Sequence, residues 1–281
     1  MDVFQIQPNA KRFRIYCIYH KFLTDEAYRD LSGEYIQDYI RFIGVNAEIE
    51  KKVPEQLKKY CFEERILANY DPFLQFNRFC ESSVFYHIYR NQPLLLEPFE
   101  YVGCVQYDMV LDNSMFEMII NVLEGNNYQS NILFYHYVDK AAKHLFNLIG
   151  RVVDDPVTKQ QVVKVDVMIQ PHWEQIVAIY NTIFKTNHVL HTIADLEFPL
   201  YHTFLLHKHM FQKMMYFAGF AIPRIFELLN FSTRHLPYHI ERCHGLFLLF
   251  QKLEGHLPIW IRLPGIEHRG DLKDPWQECQ K

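Results

Sequence analysis

The sequence lacks most of the short signatures by which enzyme chemistry is read. There is no Gly-x-Gly-x-x-Gly for a dinucleotide, no phosphate-binding Gly-x4-Gly-Lys-Ser/Thr loop, no Gly-x-Ser-x-Gly elbow and no His-Glu-x-x-His zinc helix. Kinases, nicotinamide enzymes and serine hydrolases lose ground accordingly. The six cysteines (Cys17, Cys61, Cys80, Cys104, Cys243 and Cys279) form no Cys-x-x-Cys pair, which argues against a zinc cluster and a disulfide framework and for reduced thiols in a cytosol. No long basic run accompanies the 29 basic and 33 acidic residues, so nucleic acid is not an expected partner. No apolar run approaches the ~18 residues of a membrane span, and Met1–Pro8 does not have the order of a signal peptide, so a soluble cytoplasmic protein is expected.

What is present is apolar and aromatic. Of 281 residues, 49% are hydrophobic and 16% aromatic, enough to bury a large core. Phe13–Tyr19 is β-branched and aromatic and reads as a first strand, which delivers Tyr19, His20 and Lys21 to its end. Tyr28, Leu31, Tyr35, Tyr39 and Phe42 recur at helical spacing behind a Thr24 cap, predicting one helix over 24–42. Asp71-Pro72 opens a second helix that runs to Asn91, with Asn77 and Glu81 one turn apart on one face.

The run Glu100–Asp112 is an apolar strand that carries Gln106, Tyr107 and Asp108 at its far end, where an α/β sheet opens on its ligand crevice. Further on come a helix over 116–123, strands over 131–136, 163–169 and 201–206, helical sequence from 173, a helical stretch interrupted at Pro223, and a helix from about 237 to 253. The alternation predicts an α/β fold in one compact unit. Trp173 and Trp260 lie in apolar runs and read as core, whereas Trp276 is in a loop where a ring can stack on a sugar.

Four segments together resemble GT-A-type glycosyltransferases. They are Tyr19–Lys21, Asp71–Ser82, Tyr101–Asp108 and Arg234–Arg242. The likeness is to those of bacterial capsular-polysaccharide loci and of large algal DNA viruses, including chlorovirus-like xylosyltransferases; a viral origin would place the protein in the host cytoplasm. It implies a Rossmann-like mixed sheet flanked by helices, with a nucleotide-binding part over about 11–112 and an acceptor-side part over about 113–281. It also implies a UDP-sugar donor such as UDP-xylose, a glycan acceptor, and a divalent cation, Mn2+ or Mg2+. The Asp-x-Asp of such enzymes is replaced here by Gln106-Tyr-Asp108. The segment His268-x-Gly270-x-x-Lys273-x-Pro-Trp276 is similar to one in glycogenin-like enzymes, where the histidine ligates metal and the glycine and lysine meet the diphosphate.

On that resemblance Asp108 and His268 are the expected metal ligands. Tyr19, His20, Lys21, Asn77, Glu81, Gln106, Tyr107, Asp108, Arg269, Gly270 and Lys273 would contact the donor. An acceptor hydroxyl needs a general base, for which Glu241 is favoured over Asp195 and Glu197. The alternative is a non-catalytic carbohydrate- or nucleotide-binding protein on the same fold.

Overall fold

A computed structural model describes residues 11–76, 79–125, 131–136, 150–154, 161–165, 170–193, 196–197, 199, 202–229 and 236–269. The chain divides into two compact units. The first comprises Met1–His136, Tyr201–Met215 and Ile259–Lys281, and the second Tyr137–Leu200 and Tyr216–Pro258.

The described strands are β1 (Phe13–Tyr19), β2 (Ile40–Gly44), β3 (Cys61–Glu63), β4 (Tyr101–Gln106), β5 (Met109–Leu111), β6 (Ile132–Tyr135), β7 (Gly150–Asp154), β8 (Gln161–Val165), β9 (Phe204–His207), β10 (Ile259–Arg262) and β11 (Ile266–His268). The first unit is built on a seven-stranded sheet of order β10-β6-β9-β4-β1-β2-β3. β1, β2, β3 and β4 are parallel, β9 runs against both β4 and β6, and β10 is parallel to β6. This is a mixed sheet whose parallel strands all end on one edge. Central β1 is buried on both faces, which is why its sequence is continuously apolar rather than alternating.

Gly103 decides how closely β9 can lie on β4. A Cβ at that position would fall 2.2 Å from the Phe204 carbonyl oxygen, and backbone cannot yield as a side chain does. Over one face Phe13, Tyr35, Tyr39 and Phe116 stack in an aromatic cluster that joins β1 to the helices Gly33–Tyr39 and Asn113–Glu124.

The single helix expected over 24–42 is instead three elements: a 3-10 turn Glu26–Tyr28, a helix Gly33–Tyr39 capped by the Ser32 hydroxyl, and strand β2. Ile40-Arg-Phe-Ile43 gains a full parallel ladder beside β1, and this pairing outweighs the helical spacing of its neighbours. The helix expected from Asp71 is also split, into Pro72–Phe76 and Ser82–Arg90, with Cys80 at φ 51° between them. Asp71 does cap the first piece, accepting from the Phe73 amide at 3.0 Å. Asp112 starts the helix Asn113–Glu124 earlier than apolar spacing suggests, by accepting from the Ser114 amide at 2.8 Å.

Pro223 does not break its helix, which runs unbroken over Lys208–Leu228. Residue 219, whose carbonyl the proline ring would crowd, is a solvent-facing glycine, so that carbonyl can tilt outward. The second unit holds the antiparallel pair β7–β8 and the helices Gln170–Phe184 and Leu236–Leu253. Tyr180 packs there against Phe217, Phe247 and Phe250. Trp173 is a core residue, as its apolar setting implies, and Trp260 is half-buried on β10.

Candidate active site at the carboxyl edge of the sheet

Parallel strands direct the residues that follow them to one edge of the sheet, where a ligand crevice forms in open α/β folds. β1 ends at His20, β2 at Asn46, β4 at Tyr107-Asp108 and β6 at His136. The antiparallel β9 begins at the same edge, just after His202 and Thr203, and the Thr203 carbonyl accepts from the His136 amide at 3.0 Å. Three of the four described non-glycine residues with positive φ flank this edge: Asn46 (61°), Cys80 (51°) and His202 (50°). Such conformations carry backbone strain and concentrate at functional sites. The fourth, Lys185, follows the helix Gln170–Phe184 as an ordinary left-handed stop.

Asp108 is brought to His268 by the backbone. β11 pairs antiparallel with β5, the Arg269 amide donates to the Asp108 carbonyl at 2.8 Å, and the Asp112 amide donates to Gly265 at 2.9 Å. Gly265 has φ 60°, and a Cβ there would lie 1.9 Å from the Asp112 carboxylate, so only glycine admits this turn. His268 Nε2 consequently sits 3.2 Å from Asp108 Oδ2. The other oxygen, Asp108 Oδ1, is buried and has no hydrogen-bond partner among the described residues. Burial pushes the Asp108 carboxyl above the usual carboxylate range, against the opposing pull of His268. His136 is held neutral, pushed down to about 4 by burial and by the neighbouring His268.

Beside this pair lies a second one. His20 Nδ1 is 2.7 Å from the Asn46 side-chain amide, and its Nε2 meets Glu81 Oε1. With the Asn46 NH2 as donor, the imidazole carries its proton on Nε2 and donates it to Glu81. Burial raises the Glu81 carboxyl, but the hydrogen bond from His20 opposes this and the group lies below the ordinary range. Tyr107, half-buried, has His20 and Phe22 edge-on at 6.1 and 5.5 Å.

The structure thus brings together His20, Glu81, Tyr107, Asp108 and His268. Gln106 is half-buried at the end of β4 beside Ile18, and Lys21 is exposed after β1. Arg269 Nη2 pairs with Glu26 at 3.5 Å. Tyr19 is a core residue, 2% exposed, with its ring against Gly44. Glu241, on the helix Leu236–Leu253, and Glu197 are half-buried members of the second unit. Asn77, Asp195, Gly270, Lys273 and Trp276 lie outside the described residues.

Asn46 and His136 were not singled out by sequence reasoning. His136 follows an expected strand directly, and that position was its signal; Asn46 was hidden because β2 read as helix. Among the described residues no group of three or more His, Cys, Asp or Glu is placed to hold a metal ion. The buried Asp108 oxygen, without a partner among the described residues, nevertheless suits a cation, with His268 as a second ligand.

No protein-family model matches the chain, and no curated protein matches it. Among solved structures, the apo form of the WbbM bifunctional glycosyltransferase superposes on 94% of this chain with a TM-score of 0.51 and 14% identity. The match takes up 48% of that protein, so this chain spans about half its length. The apo form of mouse xyloside xylosyltransferase 1 matches with a TM-score of 0.38 and 10% identity over 89% of this chain and 84% of that one. The first of these shows a common fold: the chain is an α/β protein with a GT-A-like, Rossmann-like mixed central sheet flanked by helices. Among the described residues no helix is long and apolar enough to cross a membrane.

Proposed function

We propose that the protein transfers a sugar from a nucleoside-diphosphate donor to a hydroxyl of a glycan acceptor. The observation that carries this reading is the buried Asp108 oxygen without a partner among the described residues, beside His268, at the sheet edge where such folds take their ligands. An ionised carboxylate so placed needs a compensating charge.

Asp108 and His268 would hold a divalent cation, Mn2+ or Mg2+, which when bound would offset the negative charge that grows on the departing diphosphate. The chain's own groups do the rest. On the resemblance, Arg269, Gly270 and Lys273 would meet the diphosphate, and the Arg269 amide is already bonded to the Asp108 carbonyl. His20, Lys21, Asn77, Glu81, Gln106 and Tyr107 would contribute to the nucleotide side, and Tyr19 packs in the core at the end of β1. Neutral His136 offers a hydrogen-bonding imidazole that does not add positive charge at neutral pH. Glu241, ahead of Asp195 and Glu197, takes the acceptor proton as the hydroxyl oxygen attacks the anomeric carbon. UDP-sugars are the proposed donor class, UDP-xylose among them.

A second reading, a binding protein without turnover, is favoured by one feature: Gln106 stands two residues before Asp108, where a second acid would strengthen a metal site. Release of free nucleoside diphosphate from a panel of sugar nucleotides, with manganese and with chelator, separates the two. Manganese-dependent release supports transfer. Tight binding with no release from any donor would establish the binder.

A further inference from the structure

Glu64 follows β3 directly and is 1% exposed, yet it is an acid. Its Oε2 accepts from the Ser83 hydroxyl at 2.7 Å and from His87 Nδ1 at 2.9 Å, and both of those residues are also 1% exposed. His87 Nε2 accepts from the Asp71 amide at 3.0 Å, so the proton of a neutral ring is on Nδ1 and points at Glu64. Tyr70 stacks on the same imidazole at 5.1 Å. A serine, an acid and a histidine in contact suggest a hydrolase triad, but the hydroxyl bonds the acid and not the ring, and both ring nitrogens are engaged. Nothing there can activate a nucleophile.

The network holds down the two ends of one segment. Asp71 lies at its start and Ser83 near its end, and between them stand the strained Cys80 and Glu81. Ser83 Oγ is also 2.8 Å from the Cys80 carbonyl, and the Glu81 carbonyl accepts from the Val84 amide at 3.1 Å. A buried acid and its partners are a poor source of stability, since apolar residues of similar volume commonly do as well or better. What such a hub supplies is a fixed geometry. We propose that Glu64 is a positioning residue: through Ser83 and His87 it fixes the backbone that presents Glu81 to His20 at the sheet's carboxyl edge. The consequence for donor binding rests on the reading of His20 and Glu81 as donor contacts; the positioning itself does not.

The test uses the full chain and two readouts. The first is the ring 15N and 1H resonances of His20 in ligand-free protein, with Glu81→Ala marking the signal of an imidazole that has lost its carboxylate. Ser83→Ala should move His20 part of the way to that mark, Glu64→Met further, and Glu64→Gln, which keeps an acceptor oxygen, least. The second is donor kinetics, where Glu64→Met should raise KM about tenfold or more with kcat nearly unchanged, as expected when a contact is misplaced rather than removed from the chemistry. Should Glu64→Met fail to fold, Ser83→Ala decides the matter, because it removes one hydroxyl. Folded Ser83→Ala and Glu64→Met proteins with wild-type His20 resonances would overturn the proposal. A wild-type protein that binds neither UDP nor GDP, but whose His20 responds to these substitutions, would refute the donor reading and uphold the positioning role.

Discussion

Replacing Asp108 by asparagine should make the ligand-free protein more stable and the ligated protein less so. In the free protein the aspartate holds one oxygen in a buried position with no partner among the described residues. An unsatisfied buried acceptor costs about 1–3 kcal/mol, and more when it is charged. An amide of the same shape keeps part of that penalty and gives up the contact with His268 at 3.2 Å, so a net gain of about 1 kcal/mol is expected. For a chain of this size that is about 2–4 °C in melting temperature. Adding manganese at about 100 times its dissociation constant should stabilise the wild type by about 2.7 kcal/mol and the variant hardly at all, which reverses their order.

The pH dependence has a definite sign. Burial raises the folded-state carboxyl, so the aspartate's cost is absent when both states are protonated, sets in as pH rises through the unfolded value of about 3.9, and is complete above the folded one. The gap between variant and wild type should therefore close in acid. Scanning fluorimetry of both proteins in chelator and in manganese, at neutral pH and near pH 4, provides the comparison required. An asparagine variant that melts below the wild type in chelator, or that responds to manganese equally, would refute the reasoning.

Four further outcomes are expected. Gly103→Ala should lose about 3 kcal/mol or more, because its Cβ meets the Phe204 carbonyl oxygen at 2.2 Å and the sheet must part to admit it; chemical denaturation measures this. Gly265→Ala places a methyl on the Asp112 carboxylate at a left-handed position, so it should weaken both the cap of the helix Asn113–Glu124 and the hold on His268, lowering melting temperature and donor affinity together. Asn46→Ala should lower donor affinity, read by calorimetric titration with UDP, because it frees the His20 ring of one of its two partners, and it should also cost some stability, because alanine takes the left-handed φ of 61° less readily than asparagine. His244 is fully buried and pushed down to about 3, so the native state excludes a proton that the unfolded chain takes up below about pH 6.5. His244 alone should then lower stability by about 1.4 kcal/mol for each pH unit between that value and about 3, and His244→Leu should reduce the slope in urea titrations by that much.

Much of the first unit could be read from the chain itself. The unbroken apolar run of β1, the Asp71 cap and the strand that ends at Asp108 each carry their signal within a few residues, because burial on both faces or a helix's orphan amides demand particular side chains locally. Ile40–Gly44 did not, since its partner is a strand more than 20 residues earlier and the aromatic spacing before it is genuinely helical. The pairing of Asp108 with His268 spans 160 positions and that of His20 with Glu81 spans 61, and no local pattern encodes either.

The amino-acid sequence by itself determined the α/β class and the placing of Gln106, Tyr107 and Asp108 at a strand end, because alternation, capping and burial are short-range demands. Only the tertiary structure decided that Gly265 and the β5–β11 ladder bring His268 onto that aspartate, that one of its oxygens is buried without a partner among the described residues, and that an internal acid, Glu64, holds the segment bearing Glu81. Those facts depend on which strands lie side by side, and the closeness of β9 to β4 at Gly103 shows how narrowly that is set: a single methyl group would not fit.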